Sequence, residues 1–107
     1  MARIGIGTLA SVLHRVGTAM RAGMDVRAIW EREAARGRLD YRRHAATVRD
    51  RLAQGDSLAE GMGACQGYFP PLTVALVDVG ENTGRLEEVL LGWPIITTIS
   101  ARCDARS

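Results

Sequence analysis

Residues 69–90, FPPLTVALVDVGENTGRLEEVL, read as two helices joined at a glycine-bearing hinge. Phe69-Pro70-Pro71 interrupts whatever precedes it, and Pro71 suits the first turn of a new helix, where its missing N–H costs nothing. Leu72, Val74, Ala75, Leu76, Val77 and Val79 follow with little polar interruption, so this helix is expected to form the buried centre of a bundle. Gly80-Glu81-Asn82-Thr83-Gly84 makes the joint. Beyond it, Leu86, Val89, Leu90 and Trp93 give the inner face of an amphipathic helix that Pro94 ends. Nothing in the stretch resembles an active site, which points toward assembly rather than catalysis.

Toward the N-terminus the apolar spacing stays helical. Leu9, Val12, Leu13, Val16 and Met20 line one face of a first helix that Gly23 stops. Asp25 is placed as the N-cap of a second helix with Val26, Ile29 and Trp30 inward and Gly37 at its end. A third helix, about 39–54, carries Tyr41, Ala45, Val48 and Leu52 on its apolar stripe and Arg42, Arg43, Arg49 and Asp50 on its wet face; Gly55 closes it. Ser57-Leu58-Ala59-Glu60 spells a capping box for a short fourth helix lined by Leu58, Met62 and Cys65. The expected fold class is therefore all-α, a compact antiparallel bundle of about six helices. The expected organisation is one helical domain over residues 1–92 and a divergent, disordered tail over 93–107.

A chain of 107 residues with 47% apolar and 24% charged residues suits one folded domain with a single core. The net charge is +2, but it is unevenly spread. Residues 1–51 hold 11 Arg against 5 acids, a balance of +6; residues 52–107 hold 3 Arg against 7 acids, a balance of −4. Such a domain is electrostatically polar, basic in front and acidic behind. Every basic residue is Arg, which a GC-rich genome explains more simply than a preference for phosphate or carboxylate contacts. Cys65 and Cys103 lack CxxC spacing and read as reduced thiols. Gly5, Gly7, His14 and Arg15 interrupt any signal-peptide core near the N-terminus, and no apolar run approaches the ~20 residues needed to span a bilayer.

Candidate chemistry is sparse. Gly5-Ile6-Gly7-Thr8-Leu9-Ala10 matches G-x-G-x-x-A, yet it lacks a preceding strand and a following βαβ unit, so no dinucleotide cofactor is expected. His14 and His44 fall on polar faces without a second ligand at i+3 or i+4 and read as solvated, so no metal site is expected. Asp78, Glu81 and Asn82 could supply only part of a hard-cation shell; a solvated face or a salt bridge to an Arg of the front half is the simpler reading. Glu87 and Glu88 point in different directions and suit the start of a helix rather than acid–base work. Arg27 to Arg51 contains eight Arg, but Glu31, Glu33, Asp40 and Asp50 are interleaved. The spacing of Glu33 with Arg36 and Asp40 with Arg43 is that of a solvated helix. Docking to an acidic protein surface or to anionic lipid headgroups is the next reading, and nucleic acid the least favoured, because a nucleic-acid binder wants an unopposed basic stripe.

The spacing of Phe69-Pro70, Gly80-Glu81, Gly84 and Leu86 resembles the signature of the type II secretion system F domain family. Arg21-Ala22-Gly23-Met24 is similar to that family's first helix–turn, and Gly55-Asp56-Ser57-Leu58 to its next joint, so three landmarks stand in family order over about residues 9–91. The resemblance implies a six-helix bundle in which Gly23, Gly55, Ser57, Phe69, Pro70, Gly80, Glu81, Gly84 and Leu86 determine the fold. Glu81 would accept backbone N–H groups of the sixth helix or bind an Arg. It also implies a scaffold of a type II secretion or type IV pilus inner-membrane platform, at the cytoplasmic face of the bacterial inner membrane. Such a module is not an enzyme, takes no cofactor and docks the assembly ATPase and other platform components. Arg42, Arg43 and Arg49 are the candidate contact residues. Self-association of such a bundle stays open, no nucleic-acid partner is implied, and membrane attachment would come only through other segments or partners. The tail IITTISARCDARS departs from the family, whose sixth helix leads toward a long apolar span. A soluble helical adaptor or a truncated remnant is the alternative.

Overall fold

The computed structural model describes residues 3–92, which fold into six helices without a strand. They are α1 (Ile6–Arg21), α2 (Val26–Glu33), α3 (Leu39–Ala53), α4 (Leu58–Gly63), α5 (Pro71–Thr83) and α6 (Leu86–Leu91). The readings of Trp93, Pro94, Cys103 and the 93–107 tail lie outside the described residues. Each helix packs on its neighbours in sequence, and α6 returns to lie against α1, closing the ring. Among the described residues no helix is long and apolar enough to cross a membrane.

Local chemistry sets the helix ends. Gly84 sits at φ 73°, where a Cβ would be strained, and this lets the Arg85 N–H reach back to the Gly80 carbonyl at 2.8 Å. The same left-handed stop ends α1 at Gly23 and α3 at Gly55. Asp25 occupies the N-cap position of α2 but makes no side-chain capping bond, and α2 ends at Glu33, four residues before Gly37. Ser57 and Glu60 close their box: the Glu60 N–H donates to Ser57 Oγ at 3.1 Å and the Ser57 N–H to Glu60 Oε1 at 3.0 Å. Those bonds hold the Glu60 carboxyl below its ordinary range.

The core is built from Leu13, Val16, Trp30, Val48, Leu58, Met62, Phe69, Val77 and Leu90, all buried. Phe69 meets Trp30 edge-on at 6.4 Å between ring centroids and Tyr68 at 5.1 Å. Tyr68 in turn stacks on His44 at 3.8 Å. His44 is therefore half-buried against an aromatic ring, not solvated, and its Nδ1 lies 2.8 Å from the Asp40 carbonyl oxygen. His14 is exposed. Cys65 is buried with its Sγ near the His44 and Gly61 carbonyls, and burial pushes its thiol up to about 11.

Two readings of the 69–90 stretch need correction, and the joint read at Gly80–Gly84 narrows to Gly84 and Arg85, because α5 continues through Thr83. α5 is not the buried centre: only Thr73, Val77 and Gly80 of it are buried, while Leu72 and Val79 are about half exposed. Among the described helices it is covered by α4 and α6 alone. Gly80 permits the approach of α6, since a Cβ there would sit 3.1 Å from the Leu86 Cα and from Val89 Cγ2. Gly17 does the same for the ring closure, where a Cβ would meet Leu90 and Leu91 at 3.0 Å.

Glu81 supplies the second correction. Its carboxylate serves the fourth helix, not the sixth, and among the described residues binds no Arg. The Leu58 N–H donates to Oε2 at 2.8 Å and the Ala59 N–H to Oε1 at 2.9 Å. The open end of α4 is thus capped twice, by Ser57 locally and by Glu81 from a helix more than twenty residues away. Replacing Glu81 by Ala should cost about 2 kcal/mol, because two helix N–H groups lose charged acceptors in a partly buried joint. Ser57→Ala should cost about 1 kcal/mol. Urea denaturation of both variants checks the order; an equal or larger loss for Ser57→Ala would contradict the assignment.

Candidate functional site

The first half of the chain carries its arginines on α1, α2 and α3 and, as Arg3, Arg36 and Arg38, on the segments before α1 and between α2 and α3. Arg42 and Arg43 lie exposed on the outer side of α3, and neither has an ion-pair partner among the described residues. Arg49 is turned onto its neighbour, with Nε and Nη2 both 3.1 Å from Asp50 Oδ1. Both side chains are well exposed, so that pair contributes little to stability but does occupy the guanidinium. Arg51 lies 3.4 Å from Asp56 across the α3–α4 joint. The expected Asp40–Arg43 pair is not made, which leaves Arg43 available to a partner.

Glu33 was expected on a solvated face and is instead 2% exposed. It follows Trp30 by three residues and Ile29 by four, so the helical period itself carries it onto the inward stripe of α2. Arg15 of α1 grips the carboxylate with two bonds, Nε to Oε2 at 3.0 Å and Nη2 to Oε1 at 2.6 Å. The Tyr41 hydroxyl of α3 donates to Oε1 at 2.7 Å. Arg36 stands farther off, with Nη1 4.0 Å from Oε2. One carboxylate therefore ties three helices together. The bond to Glu33 raises Arg15 above its ordinary value against the opposing effect of burial, and burial, reinforced by Glu33, holds the Tyr41 hydroxyl far above its own.

Above this cluster an open groove of about 720 Å³ runs between the start of α1, the α2–α3 turn and Tyr68. Arg3, Arg15, Arg36 and Arg38 line it, with Asp40 as the acid on its wall. Its α1 side includes Gly5 and Gly7 of the G-x-G-x-x-A run, whose helix starts without a preceding strand. Sequence reading did not single out this groove, because Arg15 and Glu33 are 18 residues apart.

The oxygen-bearing trio Asp78, Glu81 and Asn82 of the rear half does not converge. Both oxygens of Glu81 are taken by backbone N–H groups, while Asp78 and Asn82 are exposed. Among the described residues no group of three or more His, Cys, Asp or Glu is placed to hold a metal ion.

Residues 12–92 match the family described as Type II secretion system (T2SS), protein F. Over 83 residues the chain is 32% identical to the Type II secretion system protein F of Aeromonas hydrophila. That alignment takes in 77% of this chain and 21% of the relative, so the chain spans about a fifth of the length of the protein it matches.

Proposed function

The chain belongs to the type II secretion system protein F family, and on that premise we propose that it is a non-enzymatic assembly module working at the cytoplasmic face of the bacterial inner membrane. In this reading it docks the assembly ATPase and other components of the secretion or pilus platform, and it hydrolyses nothing itself. Attachment to the membrane comes through other segments or through partners. The observation that supports it most is the exposed pair Arg42 and Arg43 on α3, without an ion-pair partner among the described residues. Two fixed charges on the outside of a bundle steer and orient an acidic partner surface. Arg49, held by Asp50, contributes less.

The test is site-directed photo-crosslinking in cells, with the crosslinker at position 43 and, as a comparison, at position 87 on α6. Capture of the assembly ATPase or a platform component from position 43, weakened by Arg42→Glu, is the expected result. With purified partner, Arg42→Glu plus Arg43→Glu should slow association about tenfold, and the deficit should shrink as salt is raised. Recovery of no secretion component from either position would overturn the reading in favour of a soluble helical adaptor or a truncated remnant.

A further inference from the structure

We propose that the groove bounded by α1 and the α2–α3 turn binds a phosphate group. The inference goes beyond the platform role and does not depend on it. The groove's volume, about 720 Å³, is that of a small-ligand site. Four arginines, Arg3, Arg15, Arg36 and Arg38, line it from three separate segments. Against them stand Asp40 on the wall and Glu33 beneath, so the groove keeps an excess of positive charge.

The cluster under the groove gives this charge a fixed geometry. Glu33 is buried and engages Arg15 through Nε and Nη2 only, and among the described residues the far edge of that guanidinium has no hydrogen-bond acceptor. A planar fork anchored along one edge is already oriented for bidentate contact with phosphate oxygens along the other. Arg3 and Arg38 have no carboxylate within ion-pair distance among the described residues, and Arg36 is 4.0 Å from its own. Thr8 adds a hydroxyl on the α1 wall, and the first turn of α1 holds no acid. A carboxylate would satisfy one such fork, whereas a phosphate offers oxygens to several at once.

The phosphate could be carried by a soluble compound or by a lipid headgroup. Ile6 and Leu39, each adjacent in sequence to a residue lining the groove, are about half exposed, which makes the lipid source worth a separate arm. The experiment is a ¹⁵N NMR titration of the full chain with inorganic pyrophosphate at physiological ionic strength, alongside co-sedimentation with vesicles of phosphatidylglycerol or of phosphatidylcholine. Saturable shifts confined to residues 5–8 and 36–38 are expected, and Arg38→Gln should weaken binding about tenfold. Arg27→Gln, outside the groove on exposed α2 surface, should change it less than about twofold.

Arg38 is itself exposed, so its replacement should leave the fold intact; unchanged spectra elsewhere verify this, and Arg36→Gln gives a second variant. Binding of pyrophosphate assigns a soluble phosphate compound. Binding only to phosphatidylglycerol vesicles, lost in Arg38→Gln, assigns a lipid headgroup. No saturable response to either probe, or equal weakening by Arg27→Gln and Arg38→Gln, overturns the proposal.

Discussion

Phe69→Ala is expected to remove about 4 kcal/mol of stability. The side chain is 2% exposed and stands where the chain turns from α4 into α5. It bridges Trp30 of α2, edge-on at 6.4 Å, and Tyr68, edge-on at 5.1 Å. Truncation loses the buried ring area and both edge contacts, and it leaves a cavity that cannot easily collapse. Trp30 is fixed in α2, Pro70 and Pro71 stiffen one flank, and the Tyr68 carbonyl is held by the Ile4 N–H at 3.0 Å. Domains of this size have about 5–15 kcal/mol in all, so the variant should be marginal at room temperature. Urea denaturation should show a lower midpoint at an unchanged slope. Phe69→Leu, which keeps most of the volume, should lose about 1.5 kcal/mol. A loss for Phe69→Ala below that figure would mean the ring is not a linchpin of the core.

The architecture was legible because it rests on local signals. Apolar spacing placed all six helices. Glycines marked the stops of α1, α3 and α5, though not that of α2, and Ser57 with Glu60 marked the start of α4, since each of these depends on residues within a turn of one another. What escaped depends on which helices meet. The apolar run of α5 fitted a central helix equally well as a peripheral one, and its exposed Leu72 and Val79 are set by tertiary placement alone. Glu81 lies beside the α5–α6 joint in sequence, so α6 was its natural partner; the fold carries the start of α4 to it instead. His44 lost its solvent to Tyr68, 24 positions on, for the same reason. The groove of arginines was least legible, because its walls come from separated segments that only the closed ring brings together.

Glu33→Ala should cost about 3 kcal/mol, a loss that simple charge counting on a solvated helix would set near zero. The removed carboxylate leaves the buried Tyr41 hydroxyl without its acceptor, a penalty of about 1–3 kcal/mol. Arg15 also loses both bonds, but its side chain is 33% exposed and can turn to water, which keeps the total below that of a fully buried pair. A double-mutant cycle separates these contributions. Arg15→Ala should cost at least about 1 kcal/mol less in the Glu33→Ala background than in the parent chain; strict additivity would show that the two do not interact. Alkaline titration gives an independent reading. Tyr41 has a folded pKa raised by burial and by Glu33, so its contribution is fully present below the unfolded value of 10.0 and is lost as pH rises above it. The parent chain should therefore lose stability above about pH 10, and Tyr41→Phe should flatten that slope. Because the same carboxylate also orients Arg15 at the groove, Glu33→Ala should weaken pyrophosphate binding even where the domain remains folded. A variant that bound normally would separate the clamp beneath the groove from the chemistry within it.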